Sequence, residues 1–274
     1  MIRSMLFSAA FAPAVLTASA QQATYKADHR FAYSNVLLEN SVVKVEMEDI
    51  LAEVTYCKFR FRVTNKTNDY VFVDPTKFKV KMGDAAIAFQ EKPYMIRPYE
   101  KEGKTLNMTG ATNYHMESFS IDFADGFQRA ASKGNAVAVE DGALPAAKNE
   151  LSGGPFTVNL QKADQETKIT IAKYNVKYVG SSLAIVDPSK VSVRIPSGQV
   201  FATTKSKSKP VVLNGGEEDN FTVTIEIPGK IADMQFTTLT VLWNDCMVET
   251  SKEKLAVDAA NVTVDQARTT EINK

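Results

Sequence analysis

Val73-Asp74-Pro75-Thr76-Lys77-Phe78-Lys79-Val80 is echoed by Val186-Asp187-Pro188-Ser189-Lys190-Val191-Ser192-Val193, 113 residues further on (187 minus 74). With that offset held and no gap, the alternating stretches Val43–Met47 and Phe59–Val63 fall on Phe156–Leu160 and Ala172–Val176. A repeat of this length is domain-sized. Within each copy the pattern is that of strands. Val43, Val45 and Met47 alternate with Lys44, Glu46 and Glu48, and Cys57, Phe59, Phe61 and Val63 alternate with Lys58, Arg60 and Arg62. Period two with one apolar face marks a half-buried antiparallel strand. Asp-Pro ends such a strand, because Pro donates no ladder hydrogen bond and Asp caps the bend.

The sequence therefore predicts an all-β chain of two tandem immunoglobulin-like antiparallel sandwiches, with short strands and turn signals every 8–12 residues or so. The expected divisions are a signal peptide at 1–20, a lead-in at 21–39, the first sandwich at 40–125, a linker at 126–154, the second sandwich at 155–250 and a polar tail at 251–274. The linker expectation rests on an Ala-, Gly- and Asn-rich stretch with Pro145 and Gly153-Gly154 and no sustained alternation.

At the N-terminus, Arg3, the apolar run Met5–Leu16 and Ala18-Ser19-Ala20 before Gln21 read as a secretory signal cleaved after Ala20. This predicts a periplasmic or secreted protein. The run is too short to span a bilayer, which takes about 20 apolar residues. Loss of Arg3 leaves 31 basic against 32 acidic side chains. A general nucleic-acid binder carries a basic excess, so none is expected as a partner, and no transmembrane segment is expected either.

Phe59-Arg60-Phe61-Arg62-Val63-Thr64-Asn65-Lys66-Thr67 resembles the strand-turn of immunoglobulin-like accessory domains in bacterial envelope proteins, and Ser19-Ala20-Gln21-Gln22 resembles the signal end of exported proteins of Bacteroidetes-type bacteria. The resemblance implies an envelope location and a binding or scaffolding role. It supplies no site residues.

Candidate chemistry is sparse. His29 and His115 have no second His or Cys at ligand spacing, and no G-x-S-x-G elbow surrounds any Ser, so no catalytic residues, metal ligands or cofactors are assigned. The carboxylate clusters Glu46-Glu48-Asp49 and Glu217-Glu218-Asp219 lack a calcium-loop spacing. Lys58, Arg60 and Arg62 share one strand face, and Lys77, Lys79 and Lys81 another. Adjacent in one sheet they would form a basic patch for an anionic glycan or an acidic protein; the alternative is a solvated face balanced by neighbouring carboxylates. Lys173, Lys177, Lys190 and Arg194 repeat these rows, and Lys205, Lys207 and Lys209 stud a loop. Cys57 and Cys246 either pair across the two copies or remain buried thiols. Four N-x-[ST] sequons stand at Asn65, Asn107, Asn220 and Asn261.

The leading expectation is a non-enzymatic exported accessory protein contacting an envelope protein or glycan. The alternatives are a structural subunit of an envelope assembly and an immunoglobulin-like peptidase inhibitor inserting the Lys92–Lys104 loop.

Overall fold

The computed structural model describes residues 26, 28–123, 125–204 and 208–274. The expected signal peptide with its cleavage site, and Lys205 and Lys207, lie outside the described residues. Among the described residues the chain is all-β apart from short 3-10 turns and one helix, and every named strand pair is antiparallel.

The strands begin with β1 (Phe31–Ala32), β2 (Val36–Glu39), β3 (Val43–Ala52), β4 (Cys57–Asn65), β5 (Tyr70–Val73) and β6 (Lys79–Met82). They continue with β7 (Ala85–Phe89), β8 (Tyr94–Ile96), β9 (Lys101–Thr109), β10 (Ser118–Asp122) and β11 (Phe127–Ala130). Next come β12 (Asn135–Ala136), β13 (Gly142–Leu144), β14 (Glu150–Gly153), β15 (Phe156–Gln165), β16 (Ile169–Tyr178) and β17 (Leu183–Val186). Then follow β18 (Ser192–Arg194), β19 (Val200–Ala202), β20 (Val211–Leu213), β21 (Glu218–Glu226), β22 (Leu239–Leu242) and β23 (Met247–Thr250). The chain closes with β24 (Lys252–Lys254), β25 (Ala260–Thr263) and α1 (Gln266–Ile272).

The alternating rows do what their period demands. Val43, Val45 and Met47 are buried, as are Cys57, Phe59, Phe61 and Val63, while the charged residues between them face outward. Buried side chains segregate into two cores, and each core defines a lobe. The repeat is structural. β3, β5 and β6 begin 113 residues before β15, β17 and β18. The offset drifts where loops differ: Met108 faces Cys57 as Ile225 faces Thr170, a separation of 117. Asp122 faces Lys79 as Leu242 faces Ser192, a separation of 120. The Phe61–Phe123 ring pair at 5.8 Å thus corresponds to Tyr174–Trp243 at 5.2 Å.

The repeated Asp-Pro motif is a corner between sheets. β5 lies in the sheet β24-β11-β5-β8, and β6 in the path β1-β3-β4-β9-β7-β6-β10-β25. Between them Pro75–Lys77 makes one 3-10 turn, where Asp74 accepts from Thr76 N at 3.2 Å and from Thr76 Oγ1 at 2.6 Å. Asp187 repeats this with Ser189 N at 3.1 Å and Ser189 Oγ at 2.7 Å. A fixed proline φ and a capping carboxylate turn the strand out of one sheet and into the next.

Three expectations change. Residues 126–154 are not a linker: β11 pairs with β5 in the first lobe, while β12, β13 and β14 pair with β23, β22 and β15 in the second. Nor is 251–274 only a polar tail. β24 pairs with β11 and β25 with β10, and Leu255, Val257, Ala260 and Val262 enter the first core. In the lead-in, β1 and β2 pair with β3. The first lobe is therefore completed from both ends of the chain, and the second is inserted between the adjacent strands β11 and β24. Strands of two to four residues are too short to show a period, so their sequence reads as loop.

The C-terminal strands take, in the first lobe, the places that β12 and β13 take in the second. α1 is capped by Asp265, which accepts from Arg268 N at 3.0 Å, and Thr269 on it donates to the Ala32 carbonyl at 3.1 Å. The two ends of the long first-lobe path meet where Tyr33 bridges Val264.

Candidate binding surface

The two basic rows do not form one patch. β4 and β6 are separated in the sheet path by β9 and β7. Arg60 pairs with Asp49 at 3.0 Å and Arg62 with Glu48 at 3.4 Å, both across from β3, while Lys58 covers the Tyr56 ring at 5.1 Å. Lys77 pairs with Asp74 at 3.3 Å. Lys79 and Lys254 share Asp125 at 2.5 and 2.8 Å, and the hydrogen bonds and charge of these two lysines hold its carboxyl down to about 2. Lys81 lies opposite Ser120 of β10. Arg194 stands 3.9 Å from Asp141. Arg60, Arg62, Lys77 and Lys79 thus each lie beside a carboxylate.

The same pairing absorbs the first carboxylate cluster. In the second, Glu217 accepts from Asn214 N at 2.8 Å and Asn214 Nδ2 at 3.0 Å and so staples its own turn. Among the described residues, no group of three His, Cys, Asp or Glu is arranged to hold a metal. His115 is buried, with Nε2 2.8 Å from the His29 carbonyl oxygen and its ring 5.1 Å from Phe31. Its surroundings are those of a packing residue.

Cys57 and Cys246 are free, and each is buried in a different core, so the cross-link considered above is absent. Burial pushes the Cys57 thiol up to about 12. Tyr94–Ile96 is no inserting loop: it forms β8 against β5, with Ile96 buried. Asn65 is buried too, its Nδ2 donating to the Arg97 carbonyl at 3.0 Å, whereas Asn107, Asn220 and Asn261 are exposed.

Sequence reading missed the junction between the lobes. The β24-β11-β5-β8 and β12-β23-β17-β20 sheets share a third apolar cluster of Tyr70, Phe72, Ala130 and Ile185. At its edge Asp187 accepts from the Tyr70 hydroxyl at 2.9 Å and faces Arg97 at 3.2 Å, with side-chain exposures of 4% and 12% for Asp187 and Arg97. Burial by itself would raise the Asp187 carboxyl. The Ser189 hydrogen bonds, the Arg97 charge and the Tyr70 hydroxyl outweigh it and hold the group below the ordinary aspartate range. Arg97 also donates to the Ser208 carbonyl. A cleft of about 630 Å³ opens beside this junction, with Tyr94, Met95 and Arg97 on one lobe facing Ser208, Lys209 and Pro210 on the other. The only hint in the sequence was the repeated Asp, and it did not distinguish Asp187 from Asp74.

The remaining distinctive surface is the loop after β21. Pro228 ends the strand, and Ile231 N–H donates back to its carbonyl at 2.8 Å. Met234 is fully buried, its N–H donating to the Thr167 carbonyl at 3.3 Å and its own carbonyl accepting Gln165 Nε2 at 2.9 Å. Asp233 braces the tip, accepting from Gln235 N at 3.1 Å on its side chain and from Thr237 Oγ1 at 2.7 Å on its carbonyl. Phe236, two residues beyond the Met234 anchor, is 87% exposed, and Ile231, three residues before it, is 42% exposed. In the first lobe the corresponding anchor is Tyr114, whose N–H donates to the Val54 carbonyl at 3.1 Å. Phe236 corresponds to Met116, which packs against the first core.

No known protein family and no curated protein matches this chain. Among solved structures it is similar to a conserved domain protein from Bacillus anthracis, at 12% identity and TM-score 0.24 over 86% of this chain and 92% of that one. It is also similar to the secreted serine protease VesC from Vibrio cholerae, at 10% identity and TM-score 0.20 over 81% of this chain and 51% of that one. Likenesses this distant carry no argument. No helix among the described residues is long and apolar enough to cross a membrane.

Proposed function

We propose that this chain is a non-enzymatic accessory protein, exported on the signal read in residues 1–20, that binds a protein partner of the cell envelope through the Ile231–Phe236 loop. The observation that supports this reading is the exposure of Phe236, at 87%, on a loop otherwise pinned by a buried methionine. A large aromatic ring left in water by a braced backbone is the form that interface anchors take, because its burial supplies contact area with little loss of conformational freedom. Among the exposed large hydrophobic side chains of the described residues, Phe236 is the most exposed.

A photo-crosslinking residue at position 236, in the protein expressed in its native envelope, tests the reading. The expected product is a defined adduct with one protein. An adduct should also fail to form from the same residue placed at the exposed Val200 on β19. Absence of any adduct at 236, or identical products from both positions, would sink the reading.

A further inference from the structure

In the first lobe the outer edge of β3 is covered in two steps. β2 pairs with Lys44–Met47, and β1 then pairs with Leu51 and Ala52, Tyr33 N–H donating to the Ile50 carbonyl at 3.0 Å. Phe31 and Tyr33 are buried, and the Tyr33 hydroxyl donates to the Met116 carbonyl at 2.8 Å. The other side of this strand is closed by the C-terminus, where Tyr33 bridges Val264 and Thr269 Oγ1 accepts the Ala32 N–H at 3.0 Å.

The second lobe is built differently at the same place. β14 pairs with Phe156–Asn159, and Leu160 N–H donates to the Asn149 carbonyl at 2.8 Å. Beyond Leu160, no strand among the described residues pairs with the outer edge of β15. At the offset of 113 the counterparts of Phe31–Tyr33 are residues 144–146. Leu144, however, is committed to β13 and pairs with β22, in the place that β25 holds in the first lobe. One segment in the second lobe stands where the first lobe uses two. Burial differs between the two lobes at these places. Met47 and Ile50 are fully buried, whereas their counterparts Leu160 and Ala163 are half-buried and Phe236 projects into water.

We propose that the second lobe takes an extended segment of a partner protein as an added strand on the Gln161–Gln165 edge of β15, with an apolar side chain of that segment packed against Phe236. This rests on the reading of the Phe236 loop as a contact surface and names what the surface accepts. The first lobe supplies the chemistry of the occupant: a short extended stretch like Arg30–Tyr33, with large apolar side chains at alternate positions. Strand addition satisfies an open ladder edge with main-chain hydrogen bonds and leaves specificity to alternate side chains. Charged residues usually guard such an edge. Here Lys162 and Asp164 pair with each other at 2.7 Å, so the edge presents little net charge to an incoming strand. A second copy of this chain is a poor donor, since its own Phe31 and Tyr33 are buried and hydrogen-bonded in its first lobe.

The test uses the full chain and a fluorescent synthetic peptide covering Asp28–Val36, with binding read by anisotropy and backbone protection by amide exchange. The expected result is saturable binding that slows exchange at Gln161–Gln165. Phe236→Ser in the protein should weaken it about tenfold or more, as should replacing the peptide's Phe31 and Tyr33 with Ser. Phe236 is exposed, so that variant retains the fold. Absence of saturable binding, an affinity indifferent to Phe236→Ser, or slowed exchange at Leu51–Ala52 instead would overturn the proposal. If crosslinks at 236 capture one partner that leaves exchange at β15 unchanged, strand addition fails and the loop reading stands.

Discussion

Replacing Asp187 with Ala should cost several times what the same change costs at Asp74. The two residues occupy the same corner of the repeat and cap the same turn, each through a backbone N–H and a hydroxyl two residues on. Losing such a cap costs about 1 kcal/mol. Asp74 has one more partner, Lys77, in a half-exposed pair at 3.3 Å, and exposed pairs contribute about 0–1 kcal/mol. Asp187→Ala additionally leaves the largely buried Arg97 guanidinium with only the more distant Glu100 carboxylate, at 4.0 Å, among the described residues, and the Tyr70 hydroxyl without its acceptor; breaking a buried pair from one side costs up to about 3–5 kcal/mol. Urea unfolding followed by the fluorescence of Trp243, the one tryptophan of the chain and buried in the second core, measures the difference. The Arg97→Ala, Asp187→Ala double variant should lose less than the sum of the singles. The linkage has a definite sign. The folded carboxyl of Asp187 is held low, so its stabilisation is complete above the unfolded aspartate value of about 3.9 and fades as pH falls from there through the folded value. Asp187→Ala should therefore flatten the acid limb of the stability curve. Equal costs at the two corners would refute the junction as an energetic feature.

Both thiols should be silent toward a disulfide reagent in the native protein at pH 8 and should react as two equivalents in denaturant, because each is buried in its core and burial raises its pKa. A native chain with no titratable thiol after unfolding would mean that the cysteines pair. Truncation after Thr250 removes β24, β25 and α1 with the buried Leu255, Val257, Ala260 and Val262. At about 1.5–3 kcal/mol for each large apolar side chain buried, the loss should exceed about 4 kcal/mol and unfold the first lobe, as seen in amide exchange of β10 and β11; unchanged protection there would contradict the C-terminal return. Arg60→Ala and Arg62→Ala should each shift stability by less than about 1 kcal/mol, and less still in high salt, by chemical denaturation. A larger shift would mean that the β3–β4 ion pairs act as a network.

Strand character, the duplicated unit and its Asp-Pro corner are written into the local sequence, because alternation and proline act on neighbouring residues. Val43–Met47 needs nothing distant to show which side is apolar, and Asp74 and Asp187 turn the chain with their own side chains. What the tertiary structure decided is who pairs with whom. β12, β13, β24 and β25 carry too few residues for a period, and their place depends on partners up to 145 residues away in sequence (263 minus 118), as where Ser118 meets Thr263. Asp187 differs from Asp74 only in what the other lobe brings to it, Arg97 and Tyr70. Phe236 stands in water where its counterpart Met116 packs against the first core. Pairing across such distances is set by which surfaces remain open once the local elements have formed, and no window of neighbouring residues carries that information.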